Sequence, residues 1–138
     1  MSQNKVRQTW GTMFALLVLC SLLTSCTFTN SPFTRTANNA GSAFAAAQAT
    51  LTYAHEGKIT FSYAASSFIN YQSELSGTDQ ALTAQGASDT RTLHKLLALY
   101  SPAMQVVDAP CLSDSCDWHK QIEILNRASQ AFLGVGGS

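Results

Sequence analysis

From residue 40 onward an apolar or small side chain returns at alternating steps of four and three: Ala40, Phe44, Ala47, Leu51 and Ala54, then Phe61, Ala65, Phe68 and Leu75. That spacing follows one face of a 3.6-residue turn and predicts amphipathic helix over most of the first half of the chain. The phase passes through Lys58 and Gln72, so it survives Gly57, although a glycine inside a helix costs about 1 kcal/mol. Two readings compete. Either one long helix runs from about residue 39 to 76 with a soft point at Gly57, or Gly57-Lys58-Ile59 is a tight connection between two antiparallel helices. The preserved phase favours the long helix, while β-branched Ile59 and Thr60 favour a break. Alternation over residues 58–63 also fits a strand, but Ala64-Ala65 leads back to helix.

Gly77 is expected to stop this segment, with Thr78 or Asp79 capping a further helix that contains Ala81 and Leu82. Gly86 weakens that helix and Ser88 or Asp89 can restart it, with Leu93, Leu96, Leu97 and Tyr100 on one face until Pro102 forces an end or a new first turn. Residues 104–110 read as connection. A last helix follows, capped by Asp114 or Ser115, with Trp118, Ile122, Leu125, Ala128 and Phe132 inward and Gly134 ending it. The fold expected is all-α, a bundle of three or four helices with one disulfide, in which Ala-rich stretches such as residues 44–49 allow close approach.

The amino terminus has a different character. Lys5 and Arg7 precede residues 13–23 (MFALLVLCSLL), an uncharged apolar run of signal-peptide length but short of the ~20 residues a transmembrane helix needs. Leu23-Thr24-Ser25-Cys26 follows at once and resembles the lipobox of bacterial lipoproteins, in which an aliphatic and two small residues precede the cysteine that becomes residue one. The resemblance covers only the first 26 residues. It implies a signal peptide over residues 1–25, diacylglyceryl transfer to the Cys26 thiol, cleavage after Ser25 and palmitate-class acylation. Two acyl chains give stable anchoring where one gives only reversible binding. Thr27 stands where related lipoproteins retained in the inner membrane carry Asp, so the resemblance also implies the outer membrane in a host with two. Residues 27–39, rich in Thr, Asn and Ser and containing Pro32, read as a flexible tether, which makes 26–39 the lipidated tether and 40–138 the domain. Phe28 and Phe33 are placed either in the lipid interface or on the domain.

Cysteine usage agrees with export. With Cys20 in the signal and Cys26 modified, Cys111 and Cys116 remain as one pair, expected to form a disulfide that staples the turn before the last helix. Only 12% of the 138 residues are charged, and removal of Lys5 and Arg7 leaves 6 basic against 8 acidic side chains, a net charge of −2. No basic patch for nucleic acid is expected.

Signatures of chemistry are weak. His55-Glu56-Gly57-Lys58-Ile59 begins like a zincin motif but has Ile59 at the second histidine position, and neither a G-x-S-x-G elbow nor a glycine-rich phosphate loop occurs. His119 and Glu123, four apart, read as a surface pair; His94 beside Lys95 reads as solvated or half-buried; His55 is expected near a helix C-terminus. Asp108, Asp114 and Asp117 cluster around the disulfide loop and read as caps and loop charges. The expectation is therefore no catalysis, no cofactor and no resident metal. On a continuous first helix Tyr53 and Tyr71 share a face, with Tyr63 at its edge, so these three are candidate partner contacts, for another envelope protein or a second copy. An extracytoplasmic metal- or small-ligand-binding module using His55, His94 or His119 is the alternative.

Overall fold

A computed structural model describes residues 31–85, 90–108, 111, 112 and 115–137. Among them are four helices and no strand: α1 (Pro32–His55), α2 (Phe61–Gln85), α3 (Thr90–Asp108) and α4 (Trp118–Gly136). The all-α bundle expected from the periodicity is what forms.

Helix α1 starts earlier than composition suggests. Ser31 Oγ accepts from the Thr34 backbone N–H (3.1 Å), and Pro32 occupies the first helical position, where its missing N–H costs nothing. Residues 32–39, read above as tether, are helical, with Phe33 packed on the core and Thr36 and Ala37 buried. The Ser-Pro cap signal outweighs the coil-like composition.

The other end of α1 decides between one helix and two. Gly57 adopts φ +69°, its N–H donates to the Ala54 carbonyl (3.1 Å), and the Lys58 N–H reaches back to the Tyr53 carbonyl (2.8 Å). This pair of bonds is a Schellman motif, and it closes the helix. Lys58 Nζ then sits 5.1 Å from the centre of the Tyr53 ring, in place of the apolar contact that usually accompanies the motif. Thr60 opens α2 by accepting from the Tyr63 N–H (3.2 Å). The long continuous helix is thus corrected to an antiparallel pair: phase is kept by coincidence, and local turn chemistry wins. A Gly57→Ala variant is expected to lose about 1 kcal/mol, because an L-residue is strained in the left-handed region and nothing lies within 4 Å to add a clash. Thermal melting followed by circular dichroism should show a midpoint roughly 4–8 °C lower with unchanged helicity; an unchanged or raised midpoint would contradict this turn.

Helix α2 runs through Gly77 instead of stopping there. Leu75, Thr78 and Leu82 on either side of it are buried, and the Thr78 hydroxyl bonds back to the Glu74 carbonyl (2.9 Å) instead of capping a new helix. Burying Leu82 fully recovers more than the roughly 1 kcal/mol the glycine costs. In the same way α3 passes through Pro102, burying Met104 and Val107 in the segment read above as connection. Two glutamines hold that last part of α3 in place: Gln121 Nε2 donates to the Ala103 carbonyl (2.6 Å) and Gln72 Nε2 to the Met104 carbonyl (3.3 Å). Asp117 rather than Asp114 or Ser115 caps α4, accepting from the Lys120 N–H (3.1 Å), and α4 continues past Gly134 to Gly136.

The helices alternate in direction. α1 packs on α2 and α4, α3 closes the ring between α2 and α4, and α1 also touches α3 across the middle. Thr50 and Tyr71 share a hydrogen bond (3.1 Å) near the far end of the α1–α2 pair, and Gln85 reaches Thr36 (3.4 Å) near its start. The core is built on Phe44, Phe68 and Phe132 with Leu51, Leu82, Leu93 and Leu125, all fully buried. Small residues on α1 bring α4 close: a Cβ on Gly41 would lie 2.8 Å from Leu133 Cγ, so that position admits only glycine without displacing the leucine.

Candidate functional site

A grouping of aromatic and imidazole rings lies at the end of the bundle remote from Ser31. His55, in the last turn of α1, donates from Nε2 to the Cys111 carbonyl (2.7 Å), a short bond in a half-buried setting. Its ring stacks on Trp118 at 4.4 Å between centroids, with an interplanar angle of 1°, and meets the edge of Phe61 at 5.8 Å. The His119 ring stacks on Trp118 as well (3.7 Å). Cys111 is fully buried and joined to Cys116 by the expected disulfide, with 4.9 Å between their Cα atoms. The helix that ends at His55 and the helix that begins at Trp118 are therefore locked together by a cystine loop.

Structural stapling accounts for this arrangement. The loop is short, and cross-linking it constrains the unfolded chain by about 2 kcal/mol in the chain-entropy picture. Reduction is expected to lower the melting midpoint accordingly and to change the emission of Trp118, since its stacking partner is held by the Cys111 carbonyl. Melting curves with and without a phosphine reductant test this; superimposable curves would contradict it.

The second polar grouping lies between α2 and α3. His94 Nδ1 and Asp79 Oδ1 are 3.1 Å apart, and with Gln72, Leu97, Ala98 and Ser101 they line an open groove of about 580 Å³. His94 stands near the start of α3, at the opposite end of the bundle from His55 and His119, so the structure unites two of the three histidines and leaves the third apart. Among the described residues no group of three His, Cys, Asp or Glu side chains is placed to hold a metal ion. His119 and Glu123 form no ion pair; the pairs among the described residues are His94–Asp79 and Lys58–Glu56 (2.8 Å), both exposed and of small energetic weight. Glu56, as the charged partner and hydrogen-bond acceptor of Lys58, holds that ammonium group's pKa above its ordinary value.

The tyrosines divide differently from the sequence reading. The break at Gly57 puts Tyr53 and Tyr71 on different helices, so they do not share one helical face, and the Tyr71 hydroxyl is engaged by Thr50. Tyr53 (46% exposed) and Tyr63 (63%) remain open to solvent on either side of the α1–α2 turn. Cys26, the stretch 1–25 expected to be a signal peptide and Phe28 lie outside the described residues, as do Gly86, Ser88, Asp89 and Asp114. Asp117 acts as a helix cap. No described helix is long and apolar enough to cross a membrane. Compared with protein-family models, curated proteins and solved structures, the chain matches none of them.

The histidine–tryptophan stack is what sequence reasoning missed. A tryptophan directly after an N-cap and two residues after a half-cystine is a usable signal for a ring packed, partly buried, at that junction. Its partner on α1 is a tertiary choice that no local spacing encodes.

Proposed function

We propose that the chain is an exported lipoprotein, anchored through Cys26 to the envelope membrane, whose helical bundle works by contacting another envelope protein or a second copy of itself, without catalysis. The observation that carries the reading is the order of charged start, apolar run and Leu23-Thr24-Ser25-Cys26. A disulfide between the two remaining cysteines supports it, because such bonds persist outside the reducing cytoplasm. In a host with two membranes, Thr27 after the modified cysteine favours the outer one.

Support for a contact role comes from the end remote from Ser31. There Tyr53, Phe61 and Tyr63 are each 45–63% exposed around the α1–α2 turn, an aromatic grouping of the kind enriched in recognition surfaces. Crosslinking in intact cells followed by affinity capture tests the proposal. A specific partner or oligomer is expected, weakened in a Tyr53→Ala, Tyr63→Ala variant and altered when Cys26→Ala removes the anchor. Recovery of neither partner nor oligomer would count against it.

A further inference from the structure

The outer face of α3 carries a stripe that neither the core nor the remote end accounts for. Arg91, Lys95, Leu99, Pro102 and Val106 recur at steps of four and three, and at about 100° per residue they fall within an arc of about 80°. That arc lies diametrically opposite the buried Leu93, Leu97 and Met104. Arg91, Lys95 and Pro102 are exposed, Leu99 is 66% exposed and Val106 43% exposed, which makes Leu99 the most exposed large apolar side chain among the described residues. No carboxylate occurs on α3 before Asp108, and neither cation is paired with a described carboxylate.

Two observations say what covers this stripe. The first is charge: a helix face with cations at one end and apolar side chains along the rest suits an anionic lipid interface, where phosphates take the cations and the acyl boundary takes the leucine and valine. The second is position. Helix direction alternates, so Arg91 lies at the same end of the bundle as Ser31. Four residues lie between Cys26 and Ser31, and the five steps from one to the other can span at most about 18 Å. An acylated Cys26 would tether this end of the bundle within about 18 Å of the bilayer, and the stripe itself is only about 22 Å long.

We infer that α3 is a membrane-facing helix: the bundle lies along an anionic bilayer surface, with Arg91 and Lys95 on phosphates and Leu99, Pro102 and Val106 in the interface. This rests on the lipid anchor proposed above. Lying on its side in this way, the bundle keeps the aromatic end free to meet a partner in the plane of the membrane.

The test uses the full protein, extracted from membranes and reconstituted into vesicles, with single environment-sensitive fluorophores on Leu99→Cys, Val106→Cys and, as a control on α4, exposed Gln130→Cys. In vesicles of phosphatidylethanolamine and phosphatidylglycerol, the probes at 99 and 106 are expected to shift to the blue and to be quenched by spin-labelled lipid, and the probe at 130 is not. In phosphatidylcholine alone the effect weakens, and removing each cation (Arg91→Gln, Lys95→Gln) lowers the ratio of docked to undocked protein about fivefold. Probes at 99 and 106 that stay in water on protein that floats with the vesicles would overturn the docking and leave the anchor intact. Protein that does not float at all would overturn both. Protection that grows with protein density instead of anionic lipid would overturn the inference in favour of a second copy as the occupant.

Discussion

Truncating Phe44 to alanine is expected to cost the bundle about 3–5 kcal/mol, at the upper end of what one side chain in a core of this kind contributes. Phe44 is fully buried where three helices meet: its ring stacks on Phe132 of α4 at 5.5 Å and 15°, and meets Tyr100 of α3 edge-on at 6.3 Å. Removing it forfeits the transfer term of a buried aromatic, two ring contacts, and dispersion against a cavity that α1 cannot close. The closure fails because Ala37, Ala40 and Ala47 already bring the backbones near contact, with all three fully buried. A domain of this size has about 5–15 kcal/mol of stability in all, so a fall of roughly 15–25 °C in melting midpoint is expected. Phe61→Ala, by contrast, removes a ring 45% exposed and should change the midpoint by only a few degrees. Equal effects from the two substitutions would mean that the core is not where the helices place it.

The second large effect concerns processing. Replacing Cys26 with alanine removes the sulfur that, on the proposal above, accepts the diacylglyceryl group, and in lipoproteins with a lipobox cleavage depends on that modification. Metabolic labelling with palmitate is expected to fall to background. The chain should then accumulate at the size of the precursor, with residues 1–25 still attached. Its uncut apolar run would keep part of it at the membrane, so label and size, not fractionation, are the decisive readouts. Undiminished labelling would place the lipid elsewhere; normal cleavage without label would mean that a conventional signal peptidase acts on this chain.

How much of this was legible in the sequence depends on how local the determinant is. The stripe of Ala40, Phe44, Ala47, Leu51 and Ala54 is buried as the periodicity requires, and Leu125, Ala128 and Phe132 likewise face inward. The Cys111–Cys116 pairing was open to simple accounting. Errors arose where a residue with a strong local reputation was outweighed by burial on both sides of it. Gly77 and Pro102 each sit inside a helix whose next turns carry Leu82, or Met104 and Val107, into the core. At Gly57 the opposite happened: a locally encoded left-handed turn overrode a hydrophobic phase that continued through it. The start of α1 at Pro32 was written in Ser31-Pro32, but the polar composition around it read as coil.

The candidate sites were less legible, since they are made by pairs distant in sequence. His55 meets Trp118 across 63 positions and the carbonyl of Cys111 across 56. Asp79 meets His94 only because α2 continues past Gly77 and α3 returns beside it. Spacing can nominate each residue but cannot nominate its partner. The outer stripe of α3 belongs between these cases: its period is local, but its exposure depends on which face the other three helices leave uncovered.

The most direct test of the central claim is the intact mass of the protein extracted from membranes. Cleavage before Cys26, the added mass of a diacylglyceryl group with or without a further acyl chain, and the loss of two hydrogens for the Cys111–Cys116 bond are the result expected. A mass equal to the unmodified chain from Met1, with the thiols at 111 and 116 free to alkylate, would contradict the account.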